Sequence, residues 1–459
     1  MQGIADRVDL GARINACVYY QSLINPFNID MKSELGCENL FPFYPWLLLP
    51  LSAFLYNESI KTQGRGNYDK AAGFQYVVNF ILFCLANFLY YGAFYLYIPV
   101  LPQYVEMLGG TPADIGLVGG AFGLSSFIIR PYLGKLANEW GRKRMMLLGA
   151  ISFALLFLLF GRVNGVVPLV VLRLAHGVCL AMYLAASAAY IADYAPVDRR
   201  GEVLGIYQTC SVVSMAVFPA AGIWILQHTQ SYPFLFNVTF VTALVCFFVL
   251  LPLKETNPVY DQEQKLDLLP IFRRRVIFMS SLCLLGASLV YGAILTFLPI
   301  YAQQRNISDY GIFFVVYALA TMGSRVFAGK LSDHVDRRLV ILPFSLLVAL
   351  AAMCFFIMDN VWTLGLIAIL FGLGYGALVP ALTALVVDVT RPEERGPALG
   401  FFTAFIEVGI VVGAMGLGFI TEILGYANMF ALSGIIVLVI TLAFWLLVQQ
   451  RHTIKLEGE

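Results

Sequence analysis

The sequence predicts an all-α integral membrane protein with twelve transmembrane helices in two pseudo-symmetric six-helix bundles. Three observations carry that prediction. Of the 459 residues, 60% are apolar and 12% are charged, with a mean hydropathy of +0.79. Soluble domains run at roughly 45–50% apolar and about 25% charged, so this chain has too little polar surface to cover itself in water. The stretches 71–105, 203–253, 339–358, 360–387 and 423–450 contain no Asp, Glu, Lys or Arg, and about 20 apolar residues suffice to cross a bilayer core as a helix. Finally, the chain nearly repeats itself. Arg130, Gly134, Lys135 and Leu136 in RPYLGKLANEWGRKRM return as Arg325, Gly329, Lys330 and Leu331 in SRVFAGKLSDHVDRRL, an offset of 329 − 134 = 195.

The same offset relates Gly177 to Gly372, and Asp193, Arg200 and Gly201 to Asp388, Arg395 and Gly396. Tyr91-Gly92-Ala93 and Pro99 match Tyr291-Gly292-Ala293 and Pro299 at an offset of 200, so one intervening loop differs slightly in length. Backbone groups in lipid must be satisfied within the segment, and the alternating pattern of a β-barrel is absent, which leaves helices. The first predicted helix, about 74–101, fills the first charge-free stretch. Helices at about 113–135, 144–161 and 166–192 follow between basic loops. The stretch 203–253 is long enough for two spans, 201–227 and 232–253, with a turn near His228-Thr229-Gln230-Ser231. The second half repeats the plan at 274–303, 308–330, 338–358, 361–388, 397–424 and 427–449.

These helices group as an N-terminal bundle, 71–253, and a C-terminal bundle, 274–449, joined by the polar linker 254–273 and followed by a polar tail, 450–459. Residues 1–70 have no second copy. They begin with Asp6, Arg7, Asp9 and Arg13 instead of an apolar run, which is unlike a signal peptide. Their apolar run 40–56 contains Pro42, Pro45 and Pro50, which favours an interfacial segment over a thirteenth span. Whether 1–70 belongs to the natural protein stays open.

Orientation follows from the basic residues. Loops after even-numbered helices carry Lys135, Arg142 to Arg144, Arg199, Arg200, Arg273 to Arg275, Lys330, Arg337, Arg338, Arg391 and Arg395, whereas the other loops carry only Arg162 and Arg305. The expectation is a multi-pass protein of the plasma membrane (the cytoplasmic membrane in a bacterium), with both termini cytoplasmic. The net charge of +1 points to no nucleic-acid partner. Six of the eight cysteines fall inside apolar helices, and none has metal-ligand spacing. No paired carboxylates, GxSxG or GxxxxGK[ST] is present, so neither an enzyme nor a metal or cofactor site is expected.

The loop GKLANEWGRKRMM resembles the signature loop of the major facilitator superfamily, commonly written G-x-L-A-D-R-x-G-R-K, and GKLSDHVDRRL is similar to its second copy between helices 8 and 9. The resemblance covers about 74–449. It implies secondary transport through a pathway between the bundles, with cytoplasmic loops that latch one side shut. The gating set it implies is Arg130, Gly134, Asn138, Gly141, Arg142, Arg325, Gly329 and Asp333. Read from the residues, Gly134 and Gly329 allow close helix approach, and Gly141 permits a turn with positive φ. The chain departs from the pattern: Asn138 replaces Asp, Glu139 replaces Arg, and Asp336 replaces the second Gly. The alternative is that these basic residues only set topology.

Arg173, with Gly177 one turn later, resembles the helix-4 Arg motif that this family links to proton handling. An arginine that deep forces local water or a partner. His176 on the next turn titrates near neutral pH in its ordinary state. Glu407 lies near the middle of the eleventh helix, about 15 Å in at 1.5 Å per residue. A carboxyl there is a proton-coupling candidate, with Arg173 its expected partner by depth. SMAVFPAAG in the fifth helix, with Pro219 and Gly222, resembles a degraded form of the motif of the drug:proton antiporter branch.

In this superfamily helices 1, 4, 7 and 10 line the cavity, which makes Asn87, Tyr91, Phe94, Tyr183, Ser187, Tyr291 and Tyr375 candidate substrate contacts; the alternative for each is packing. The expected function is proton-coupled efflux of small amphiphilic compounds by a monomer, with a small molecule and protons as partners and no cofactor. The alternatives are a proton-coupled importer, a narrow-specificity exporter of a metabolite or chelator, and a non-transporting receptor on the same scaffold.

Overall fold

The computed structural model describes residues 70–195, 200–256, 268–332, 336–391 and 394–448. Expectations for residues 1–69, most of the linker and the tail lie outside these residues, as do Asp333 and the side chains of Asn138 and Lys135. The described residues fall in two units, one ending at Ile81 and one starting at Leu82. In the first, helix α1 (Lys70–Tyr97) begins, and Gln75 Nε2 donates to Asn79 Oδ1 at 3.3 Å. All that follows concerns residues from Leu82 onward.

Every described element is helical. The N-terminal half continues from α1 through a short helix, Leu101–Met107, to α2 (Pro112–Trp140), α3 (Arg142–Phe160), α4 (Val166–Tyr194), α5 (Arg200–Thr229) and α6 (Tyr232–Leu250). The C-terminal half contains α7 (Arg275–Gln304), α8 (Ile312–Ser332), α9 (Arg337–Cys354), α10 (Val361–Asp388) and α11 (Arg395–Val411). A π-turn at Val412–Gly416 then leads into Leu417–Leu447. That last helix is broken at Gly425 (φ 75°, ψ 167°), so 417–424 completes the eleventh pass and 426–447 forms α12. Ten stretches among the described residues are long and apolar enough to cross a membrane, one of them being the whole of Pro397–Leu447. The Gly425 break divides that stretch in two, and α8 carries a further, shorter apolar segment, Ile312–Arg325.

Local chemistry sets several boundaries. Thr111 caps α2 in a reciprocal capping box with Asp114, and Pro112 occupies the first turn, where its missing N–H costs nothing. Asn360 with Thr363 does the same for α10. Gly141 turns the chain between α2 and α3 at φ 99°, as its position predicts.

The internal repeat is physical. In the first half α4 approaches α2 where a Cβ on Gly177 would lie 2.0 Å from the Phe122 carbonyl oxygen. In the second, a Cβ on Gly372 of α10 would lie 2.7 Å from the Tyr317 carbonyl oxygen of α8. Residues 122 and 317 differ by 317 − 122 = 195, the sequence offset. Arg142 pairs with Asp193, and 195 residues later Arg337 pairs with Asp388. The helices are packed by absence of side chains at these crossings, as membrane helices generally are.

The halves meet along two seams. Gly116, Gly120 and Gly123 of α2 face Ala414, Met415 and Val411 of the eleventh pass, while Gly119 faces Thr296 of α7. On the other seam, Gly311 beside α8 lies against Ala220 and Ile223 of α5, and Gln227 Nε2 donates to the Ser308 carbonyl at 3.1 Å. Both seams lie toward the end of the molecule opposite the basic loops.

Candidate functional site

Two arginines inside spans behave differently from the expectation based on depth. Arg173, only 1% exposed, directs its donors within the N-terminal half. Its Nε donates to the Val118 carbonyl at 2.9 Å and Nη2 to the Gly119 carbonyl at 3.3 Å, both on α2. Nη1 donates to the Tyr97 hydroxyl at 2.5 Å and contacts His176 Nδ1 at 2.9 Å, and the guanidinium sits 4.2 Å from the Phe122 ring centre. Because arginine only donates, His176 Nδ1 must accept, from Arg173 and from the Tyr97 hydroxyl at 2.6 Å. His176 is therefore the neutral tautomer with its proton on Nε2, which has no partner among the described residues. Arg173 also lines a pocket of ≈ 20 Å³, with Val118, Phe122, Thr296 and Ile410, which is room for about one water.

Glu407 does not pair with Arg173. Its carboxylate forms an ion pair with Arg130 of α2, across the seam between the halves. The expectation failed because helix rotation, which depth does not encode, aims Glu407 at α2. The pair is not sealed: the Arg130 side chain is 33% exposed and that of Glu407 15%. Arg130 Nε and the second Glu407 carboxylate oxygen lack partners among the described residues. Arg130 is thus an intramembrane ion-pair partner, although the sequence placed it with the gating loop.

The gating residues separate further. Arg142 Nε donates to Asp193 Oδ2 of α4 at 3.1 Å, and Thr256 Oγ1 donates to the same oxygen at 3.3 Å. Glu255 accepts from the Lys143 backbone N–H at 2.9 Å and so caps α3, where a carboxylate also meets the positive helix end. Sequence reasoning missed Glu255, because the capping residue lies more than a hundred positions from the helix it caps. Among the described residues, a Cβ at Gly134 would meet nothing within 4 Å. The surroundings of Gly329 lie outside the described residues. In the second half Arg274 binds Glu394 through two bonds of 2.7 Å and also donates to the Val389 carbonyl. The Arg274 guanidinium holds the Glu394 carboxyl below the usual carboxylate range, and the Arg391 N–H adds to this.

The aromatic candidates form two groups. In the first half Tyr183 stacks on Tyr90 at 3.7 Å and its hydroxyl has no partner among the described residues. Ser187 accepts from the Tyr207 hydroxyl at 3.0 Å, and Asn87 Nδ2 donates to the Tyr207 carbonyl at 3.2 Å. Phe94 packs against Phe122 and His176 in the core of this half. Tyr91 and Tyr95, half-buried, stack along α1 at 6.1 Å. In the second half Tyr291 stacks with Tyr375 at 5.4 Å, and its hydroxyl reaches Met215 Sδ of α5 at 3.3 Å, across the halves. Tyr95, which packs against Tyr91 and Phe94, is an aromatic neighbour the sequence reading missed. Its signal was available, since it lies four residues after Tyr91.

Six cysteines among the described residues are free, and no group of His, Cys, Asp or Glu there could hold a metal. The major facilitator superfamily model matches residues 83–358 and 306–459. The chain is 26% identical over 359 residues to the staphylopine export protein of Staphylococcus aureus, covering 74% of this chain and 88% of the relative. It is 28% identical over 386 residues to the multidrug resistance protein MdtG of Salmonella paratyphi A, covering 80% and 95%. Among solved structures, the nucleoside transporter NupG superposes with a TM-score of 0.69 at 14% identity, over 81% of this chain and all (100%) of that one. A bacterial homologue of the human lysosomal transporter Spinster, in an inward-facing and occupied conformation, superposes at 0.68 with 13% identity, over 83% and 98%. With transporters, and not enzymes, as its relatives, a repeat that recurs in contacts, and a family model spanning nearly all described helices, the chain belongs to the major facilitator superfamily.

Proposed function

We propose that the protein exports small amphiphilic compounds in exchange for protons, by alternating access between its bundles 71–253 and 274–449. The observation that carries this reading is the ion pair between Arg130 and Glu407, which joins the halves inside the membrane and remains partly open to solvent. A carboxylate here binds Arg130 across the seam; a protonated one loses that attraction and frees α2 from α11. Coupling then needs no further device: protons reach Glu407 from the open side, and cargo entering the aromatic cavity competes for Arg130 or displaces the proton. Arg173 holds α4 to α2 and keeps His176 neutral. The basic loops face the cytoplasm by the charge rule, so the glycine seams close the outer side. The protein works as a monomer in the plasma membrane.

The names of two relatives, a multidrug resistance protein and a staphylopine export protein, support export as the direction. The second of these also favours a narrow-specificity exporter, since staphylopine is the named cargo of that protein. The test is proton release from inverted vesicles carrying a pH gradient, challenged with lipophilic cations, neutral amphiphiles and carboxylate-bearing chelators. The wild type should discharge the gradient with at least one class, and Glu407→Gln should abolish the response while keeping its fold. Discharge that survives the substitution would remove Glu407 from coupling.

A further inference from the structure

The eleventh pass presents a second carboxylate, Glu422, on the stripe that faces α2. That stripe runs antiparallel to α2: Glu407 meets Arg130, Val411 meets Gly123, Ala414 and Gly418 meet Gly116, and Glu422 reaches Ala113. A Cβ on Gly418 would lie 3.1 Å from both the Gly116 Cα and the Pro112 carbonyl oxygen, so the two backbones stay in contact up to the first turn of α2. Glu407 stands at one end of this seam. Glu422 stands at the other, exposed, at the end of the molecule opposite the basic loops.

The contact at Ala113 completes the α2 N-terminus. A helix leaves its first N–H groups without intrahelical partners. Here Pro112 has no N–H to place. The Asp114 N–H donates to Thr111 Oγ1 at 3.3 Å, and the Ile115 N–H donates to the Thr111 carbonyl at 3.0 Å. The Ala113 N–H remains, and the other half supplies its acceptor, Glu422 Oε1 at 3.2 Å. A carboxylate at this place also meets the positive end of the helix. Asp114 is another carboxylate at the same terminus, but it stays within its own half, accepting from the Thr111 backbone N–H at 2.9 Å. Two further hydrogen bonds join the halves at this end: Gln103 Nε2 donates to the Tyr310 hydroxyl at 2.7 Å, and Gln227 Nε2 to the Ser308 carbonyl at 3.1 Å. Both are neutral, and water replaces such bonds at little net cost. Of these three links only that of Glu422 carries a charge.

We propose that Glu422 is the charged latch of this end of the pathway. Bound to the α2 N-terminus, it holds the halves together there, and the seam between α2 and the eleventh pass opens only when that bond is released. Glu422 is thus a gating residue that sets how often this end opens, beside the ion pair of Glu407 deeper in the same seam. This inference rests on the alternating-access reading above.

The test uses the full-length protein in lipid nanodiscs, in a background lacking the native cysteines, with Thr296→Cys as reporter. Thr296 is buried at this end, against Gly119 of α2, so a hydrophilic maleimide reaches the new thiol when the halves part. Glu422→Gln should raise the labelling rate about two- to fivefold, the range for one charge at an exposed helix end. Glu422→Lys, which sets a cation against the positive helix end, should raise it further. Salt screens an exposed charge, so sodium chloride should speed labelling of the parent and have little effect on Glu422→Gln. Gln103→Ala, which removes a neutral link, should label faster yet keep the salt response. Thermal unfolding checks that each variant is folded. Unchanged labelling in both Glu422 variants, or a salt response that survives Glu422→Gln, overturns the proposal. Labelling that depends on Glu422 in a protein that discharges no pH gradient would sustain the latch and sink the transport reading. Proton-linked discharge with labelling indifferent to Glu422 would do the reverse.

Discussion

Arg173 and Arg130 illustrate two uses of a guanidinium within a span. Arg173 lies against backbone carbonyls, a phenol, an imidazole and an aromatic ring, all within one half, and its charge is held where it is. Arg130 meets a single carboxylate from the other half, and that bond can be broken by one proton. Glu394 offers a cleaner pH test because it lies outside the spans. Arg274 lowers its folded value below the unfolded carboxylate range, so the pair contributes stability above the unfolded pKa of about 4.3 and loses it as pH falls through the lower folded value. Glu394→Gln should therefore melt at a lower temperature than wild type at neutral pH. The two melting curves should converge in strongly acidic buffer, as read by thermal unfolding in detergent. A gap that persists under acid would mean that the pair is not the source of the difference.

At the level of the helix, the eleventh pass carries the irregularity. The π-turn at Val412–Gly416 brings Gly413 so near α7 that a Cβ there would lie 2.0 Å from the Leu289 carbonyl oxygen. Backbone cannot yield as a flexible side chain does, so Gly413→Ala should destabilise the protein by roughly 1–3 kcal/mol and slow transport. Gly134→Ala is the control, because no described residue lies within 4 Å of a Cβ there and alanine is the better helix former by about 0.5–1 kcal/mol. Thermal unfolding of both variants would separate them. The same comparison shows why only some glycines were legible in the sequence. A repeat marks Gly134 and Gly177 equally, but which one touches a neighbouring backbone depends on the rotation of two helices about their axes.

For the molecule as a whole, alternating access requires the α2–α7 seam to part. A Cβ on Gly119 would lie 2.8 Å from the Thr296 side chain, close to the separation a disulfide spans. In a background lacking the native cysteines, Gly119→Cys with Thr296→Cys should cross-link on oxidation, stop flux, and recover with reductant. Flux that continues through the cross-linked protein would show that this seam does not open.

Composition and the 195-residue repeat determined the membrane class and the helical, internally repeated architecture, because hydrophobic length and spacing are properties of the chain itself. The loop signature pointed to Arg142 and Arg337, and the repeat marked Asp193 and Asp388. Their pairing could not be read there, because each bond joins residues 51 positions apart on different helices. Which half supplies a partner was likewise a tertiary matter. Glu407 has two arginines within spans in reach in sequence terms, and only helix rotation selects Arg130 and leaves Arg173 to Tyr97 and His176.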